Sequence, residues 1–425
     1  MKPWIVSCAV LLGVSPAAVL GVAPTEVLVL PAAKATLHVA VPLPSGWSEE
    51  KEASLQLVEV DHPDLTVPAQ RVPAMADDGT VAPGPGRLAA SVPPREGVSG
   101  PRRFRMETAP RSARVSDPAD KSAGFRFREI DDKSLALDDA GKPVLVYNYG
   151  VITSPKVPAN DARRSRACFV HPLYGLNGEV LTDSFPEDHY HHCGIFWAWP
   201  HVAIEGKEYD LWVYNNIQQR FVRWLVREAG PVAAVLAVEN GWFVGDKKVM
   251  IERVWLRVYK PAGGERSMDL EFAFIPVDKP ITLRGAEGKS YGGLNLRYAP
   301  RKDTVITVPK GRAKDDLPDT PLAWVDLTAR FPDAPAPSGA AIFVDSKHPD
   351  FPPTWLTRHY GILCCGYPGV KGKTFPPGTP IRLDYRVWIH KTAAELAELQ
   401  QAAEAYGAGK GTEGRREKGE GRTHQ

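Results

Sequence analysis

The chain has 425 residues, enough for two domains and a sizeable core. Lys plus Arg is 52 against 50 for Asp plus Glu, so no basic face is implied and nucleic acid is excluded as an expected partner. The 40 prolines and 37 glycines punctuate short apolar runs, which reads as many turns between strands.

In chain order, residues 1–23 read as a secretory signal. Lys2 gives a positive start, Ile5 to Val14 is mostly apolar, and Ala17 or Ala23 precedes a cut. Gly13, Ser15 and Pro16 interrupt the apolar run, so no membrane span is expected once the signal is removed. A periplasmic or secreted location follows. Of the cysteines, Cys168, Cys193, Cys364 and Cys365 lie beyond the signal; buried free thiols and a single bridge both fit them.

Residues 24–108 read as a small β-sandwich. Leu37, Val39, Val41 and Leu43 alternate with other residues, the period of a half-buried strand. Ser54 to Val60, Asp64 to Ala69 and Arg87 to Val92 add further strands. Ala109-Pro110 and Asp117-Pro118 mark a linker.

Residues 122–391 read as one large antiparallel β-sandwich or supersandwich. Asp138 to Gly141 is a hairpin turn between two apolar runs. Met268 to Phe274 and Leu383 to Ile389 alternate, and Val232 to Val238 and Lys248 to Tyr259 add long strands. Sustained βα alternation is missing, so the fold class is all-β. Residues 392–425 read as one short helix followed by a disordered tail. Thr392 and Glu395 form a capping box, Leu396, Leu399, Ala403 and Tyr406 share a face, and Gly407 is the stop.

Chemistry concentrates between Glu187 and Trp199. Three of eleven histidines, His189, His191 and His192, fall within four positions, after Asp188 and before Trp197 and Trp199. Three readings compete. In an extended strand His189 and His191 share a face and can ligate a divalent metal, with His171, Asp188, His201 or His359 as a third ligand. Alternatively the imidazoles move protons, with a nearby carboxylate fixing the tautomer and Glu252 as a base. Or they only hydrogen-bond a turn.

Trp197, Trp199, Trp212 and Tyr214 follow closely, and aromatic faces beside polar groups suit sugar rings, although any one Trp also suits a β core. Asn295 and Arg297 share a face if extended. The Pro-rich segment from His348 to Gly361 reads as an ordered loop presenting Trp355, Arg358, His359 and Tyr360. Arg297 and Arg358 either bind a substrate carboxylate or hydroxyls, or pair with Glu252 or Glu271.

The run Arg166 to Thr182, Asp188 to His192, Gly194 to Trp199, Tyr291 to Arg297 and Pro353 to Gly361 strongly resembles a family of bacterial proteins often labelled "methane oxygenase PmoA". The resemblance covers about residues 125–391 and maps the family's His-rich motif onto His171, His189, His191 and His192; Cys193 stands where similar proteins carry a basic residue or histidine. The label suggests a metal-dependent oxidoreductase. A methane monooxygenase subunit of that name needs long apolar spans, and none follows the signal. The resemblance implies instead a secreted or periplasmic protein linked to carbohydrate use. The core is also similar to the β-supersandwich of galactose mutarotases, whose His and Glu move protons on a sugar. The expectation is an exported protein that binds a small sugar or glycan and transforms it by His-centred acid/base chemistry as an isomerase, lyase or hydrolase. A non-catalytic glycan-binding module is the alternative.

Overall fold

The computed structural model describes residues 26–43, 55–108, 124–412 and 415–418. The signal at 1–23 and the linker prolines lie outside them. Strands dominate and all their pairings are antiparallel, as the alternating apolar runs require. The turn at Ala140-Gly141, with φ of 49° and 75°, joins Ser134–Asp139 to Lys142–Asn148 as the hairpin signature predicts.

Two nine-stranded sheets face each other across one core. The first, called here the loop sheet, places Gly293–Arg297 at its centre, between Ile362–Gly366 and Ile195–Ala198. The second is built around the long strands Ala233–Val244, Lys247–Tyr259, Glu265–Pro276 and Ile381–His390. Rings interdigitate between them: Trp197 meets Phe272 at 5.0 Å and Trp199 meets Phe274 at 5.2 Å.

The six N-terminal strands, from Glu26–Leu30 to Arg102–Thr108, are hydrogen-bonded in one continuous order. Their apolar residues form one cluster, capped by Ala405 of the helix. The other face, with Val72 and Ala89, packs against Ala233, Val235, Ala237, Trp255 and Tyr259 on the outer face of the long-strand sheet. The N-terminal sheet therefore docks on the long-strand sheet, and the loop sheet keeps its own outer face.

The helix differs from its sequence reading. It spans Leu396–Gly411, capped by Glu395 with Glu398 rather than by Thr392, and it passes through Gly407. Leu399, Ala402, Ala405 and Tyr406 are the buried positions. Neighbouring sheets on two sides fix this face, so the helix continues where propensity alone suggests a stop. Beyond it, Arg415–Lys418 pairs with Glu26–Val29 as an added edge strand, a stretch read from sequence as disordered tail. Cys168, Cys193, Cys364 and Cys365 are free and buried. Among the described residues no helix is long and apolar enough to cross a membrane.

Candidate functional site

The histidines do not lie on a strand. Residues 186–192 form two consecutive turns, with the His189 amide donating to Pro186 O at 3.0 Å and the His192 amide to His189 O at 3.0 Å. The loop closes where the Phe185 amide meets His192 O at 2.9 Å and Ser184 bridges Cys193. Gly194 anchors its exit with φ of 57°. A Cβ there would lie 2.0 Å from Val170 O and 2.8 Å from the His171 Cβ, so the chain needs glycine to approach that closely.

Turns gather what an extended strand would spread. Tyr360, His189, His192 and Phe196 stack as a column, with centroid spacings of 5.0, 4.6 and 5.8 Å. Tyr360 is 42% exposed and Phe196 is fully buried, so the column runs from solvent to the sheet. His191 stands edge-on to it, 5.7 Å from His189 and 4.5 Å from His192. Trp212 walls one side, 6.0 Å from His191, and Tyr291 packs on Trp212 at 4.5 Å.

Strand alternation explains what lies beneath the loop. Phe196 pairs with Asn295, so Phe196, Asn295 and Arg297 face outward together. Trp197 has the opposite parity and points into the sandwich. Arg297 donates through Nη2 to both Asp188 oxygens, at 2.8 and 2.9 Å, and its guanidinium covers the Tyr360 ring at 5.0 Å. His189 Nδ1 is 3.1 Å from Asp188 Oδ2 but poorly aligned for a hydrogen bond. Burial would raise the Asp188 carboxyl, yet His189 and Arg297 hold it below the ordinary range.

Several polar atoms here are buried without a partner among the described residues: Nδ1 of His191 and His192, Ser184 Oγ, and Nε and Nη1 of Arg297. Burial pushes His191 down to about 3, aided by Arg166, His189 and Arg163. It also pushes His192 well below the usual range, aided by His191 and His189. Both rings are therefore neutral near pH 7, each with one nitrogen lone pair.

The other residues singled out by sequence separate into groups. Asn295 lies under the loop, with its amide nitrogen on Gly293 O at 2.8 Å. His171 sits at the loop's base, Nδ1 3.0 Å from Thr182 Oγ1, and burial lowers it to about 4. Arg358 and His359 both turn to Asp316, at 3.7 and 2.8 Å, beside Tyr360. Their segment is a strand, Thr354–Arg358, entering a turn, rather than one loop. His201 lies apart, 4.0 Å from Glu208.

Trp197, Trp199 and Trp355 are core residues at 1, 1 and 0% exposure and offer no open ring face to a sugar. Their parity on the strands, which sequence leaves undecided, puts them inside. Glu252 is also interior. It accepts from Asn240 at 2.8 Å, Gln219 at 2.8 Å and Trp242 at 2.6 Å, and burial raises its carboxyl against these bonds. It holds the two sheets together through Gln219, whose amide also reaches Trp197 O at 3.3 Å. Neither Glu252 nor Glu271 takes the expected arginines: Arg297 goes to Asp188 and Arg358 to Asp316.

The His189 and His192 rings, parallel within 2°, cannot both hold one ion in plane, whereas His189 and His191, the pair expected to ligate a metal, stand at 77° with centroids 5.7 Å apart. Burial pushes the Cys193 thiol up to about 11, so with no metal bound it stays protonated near pH 7. Among the described residues no group of three or more His, Cys, Asp and Glu converges as a metal set. Sequence reasoning passed over Arg166. It is buried against the rings of Phe196 at 5.1 Å and Tyr214 at 4.4 Å. Nothing local in the sequence marks it as a site residue.

A cavity of about 530 Å³ lies elsewhere, along the seam between the N-terminal sheet, the helix and the long-strand sheet. Its Arg386, Arg257 and Lys410 are cross-paired with Asp269, Glu271 and Asp384, while Arg257 Nε, Arg382 Nε and Asp384 Oδ1 have no hydrogen-bond partner among the described residues.

Residues 134–404 match the family of unknown function DUF6807. The chain belongs to this family. The match spans both nine-stranded sheets except the edge strand Phe125–Glu129, together with the histidine loop and the start of the helix, and leaves the N-terminal sheet outside it. No curated protein matches the chain.

Proposed function

We propose that this member of DUF6807 is an exported, carbohydrate-active protein whose histidine loop transfers protons on a sugar or keto-sugar. One observation carries the reading: three packed imidazoles, two of them neutral with buried, unpartnered nitrogens, lie beneath the exposed Tyr360 ring. Neutral imidazoles accept protons, and a second ring in van der Waals contact returns one to a neighbouring atom, as isomerisation or elimination requires. Asp188 stabilises the imidazolium formed at His189, and Arg297 fixes Asp188. The resemblance to the PmoA-labelled proteins and to galactose mutarotases supports the sugar class, and the apolar N-terminal run supports export.

The test is a panel of sugars and keto-sugars with wild-type protein and His191→Ala. Wild-type turnover that drops about 10²-fold or more in the variant is expected. Absence of both turnover and binding across the panel would sink the reading. A glycan-binding module is the second reading, favoured by the distance of Glu252 from the loop's contacts and by the exposed Tyr360 ring. A binder keeps most of its affinity in His191→Ala and shows no turnover in either protein.

A further inference from the structure

We propose that the ligand of this site is a sugar carrying an oxyanion, a carboxylate or a phosphate, and that Asp188 holds its seat on Arg297 while the site is free. This rests on the proton-transfer reading of the same loop and names its substrate class.

The first support is a local excess of cations. Arg166, 2% exposed, donates to Leu211 O at 3.3 Å and Trp212 O at 2.5 Å and has no carboxylate within ion-pair reach among the described residues. Arg301 donates to Ala299 O at 2.8 Å and His359 O at 2.9 Å, again with no carboxylate in reach among them. Burial, then the neighbouring Arg297, lowers Arg301 to about 10. Four buried guanidinium N–H positions lack partners: Arg166 Nη1, Arg297 Nε and Nη1, and Arg301 Nε. Buried donors in excess call for an oxygen-rich acceptor, and charge-assisted bonds from arginine to carboxylate or phosphate are the strong ones.

The nearby carboxylates do not remove the excess. Asp161 is engaged by Arg163 at 2.6 Å. Asp183 accepts from the Ser184 amide at 2.8 Å, and Asp210 from the Trp212 and Val213 amides at 2.7 and 3.1 Å. Burial raises both carboxyls against these amide bonds. That leaves Asp188.

Asp188 is the second support. Its side chain is 44% exposed on a turn, while the Arg297 beneath it is 7% exposed. A half-exposed ion pair contributes little, so a ligand oxyanion can replace it at small cost. The exchange leaves Asp188 free to turn to His189. It also places a negative charge beside rings that burial, aided by Arg166, Arg163 and Arg297, holds neutral, and so makes His191 and His192 stronger bases when substrate is present.

Calorimetry at constant ionic strength with glucose, gluconate, glucuronate and glucose 6-phosphate tests this. At least one acid should bind about tenfold or more tighter than glucose, and the preferred arm tells carboxylate from phosphate. Asp188→Ala should tighten the acid severalfold relative to glucose, with a urea midpoint checking that the fold survives the loss of Arg297's carboxylate. Arg166→Met should weaken the acid alone, whereas a merely structural role weakens all ligands together or none. Glucose binding as tightly as every acid, or Asp188→Ala weakening the acid, overturns the proposal and leaves the proton-transfer reading standing. Failure of all four to bind, together with no turnover on the sugar panel, brings down both.

Discussion

The outer faces of the two nine-stranded sheets solve the same problem in opposite ways. On the long-strand sheet, Glu271 and Asp384 face each other on adjacent strands, an unfavourable pairing of like charges. Lys410 of the helix bridges them at 2.7 and 2.9 Å, and Arg386 grips Asp269 at 2.6 and 3.1 Å. Burial alone would raise the Asp269 carboxyl, but Arg386, Lys410 and Arg257 hold it below its ordinary range. Lys410 thereby ties the helix to the sandwich, and Arg386 Nη2 also donates to His38 O of the N-terminal sheet at 3.4 Å. Beside the loop sheet, Arg166 and Arg301 have no carboxylate partner among the described residues, and the imidazoles of His191 and His192 keep an unpartnered nitrogen there. The long-strand face thus pairs its arginines and lysine with carboxylates, although Arg257 Nε and Arg382 Nε lack a hydrogen-bond partner among the described residues, whereas the loop face leaves whole guanidinium groups without a carboxylate.

That contrast can be broken most forcefully at the seam. Asp269→Ala leaves Arg386 and Arg257 buried without their carboxylate and should cost about 3–5 kcal/mol in urea unfolding. Ligand affinity at the loop should stay as in wild type; coupled loss of both would erase the distinction between the two faces. Next in size is His191→Ala, whose loss of turnover, about 10²-fold, corresponds to about 2.7 kcal/mol in the transition state. Its unfolding free energy should change by less than about 1 kcal/mol, since the ring's buried nitrogen has no partner to lose.

A smaller effect is read from pH. His171 is held near 4 in the folded chain, below the ordinary 6.5. Between these values the unfolded chain binds the proton first, so this group's contribution to stability falls as pH drops from about 6.5 to 4. His171→Gln should flatten the stability curve there by at most about 1.4 kcal/mol per pH unit, measured as urea midpoints at pH 7 and 5. An identical slope in the variant would show that His171 is solvated like a surface histidine. Smallest of all, dithiothreitol should leave Tm unchanged, because the four described cysteines are free thiols.

Much of the fold was legible because strand periodicity is a local property. Met268 to Phe274 and Leu383 to Ile389 read directly as half-buried strands, and they pair with each other in the structure. The helix was legible in kind but not in extent, since packing on two sides carries it through Gly407. The histidine loop was legible as a place, while its geometry was not. A strand puts His189 and His191 on one face; two turns instead stack His189 on His192. Glu252 illustrates the limit on roles: a carboxylate in a sequence has no address, and here Asn240, Gln219 and Trp242 enclose it.

The sequence by itself determined the all-β class, the hairpin at Ala140-Gly141 and the concentration of imidazoles after Asp188. These depend on period, turn chemistry and composition, which act over a few residues. Only the tertiary structure decided which side of a strand faces the core. It turned Trp197 inward and Phe196 outward, and it brought Arg166, Arg297, Arg301 and Tyr360 from distant segments to the histidines. Those contacts are set by sheet register and by what packs on each face, and neither is written in any single stretch of chain.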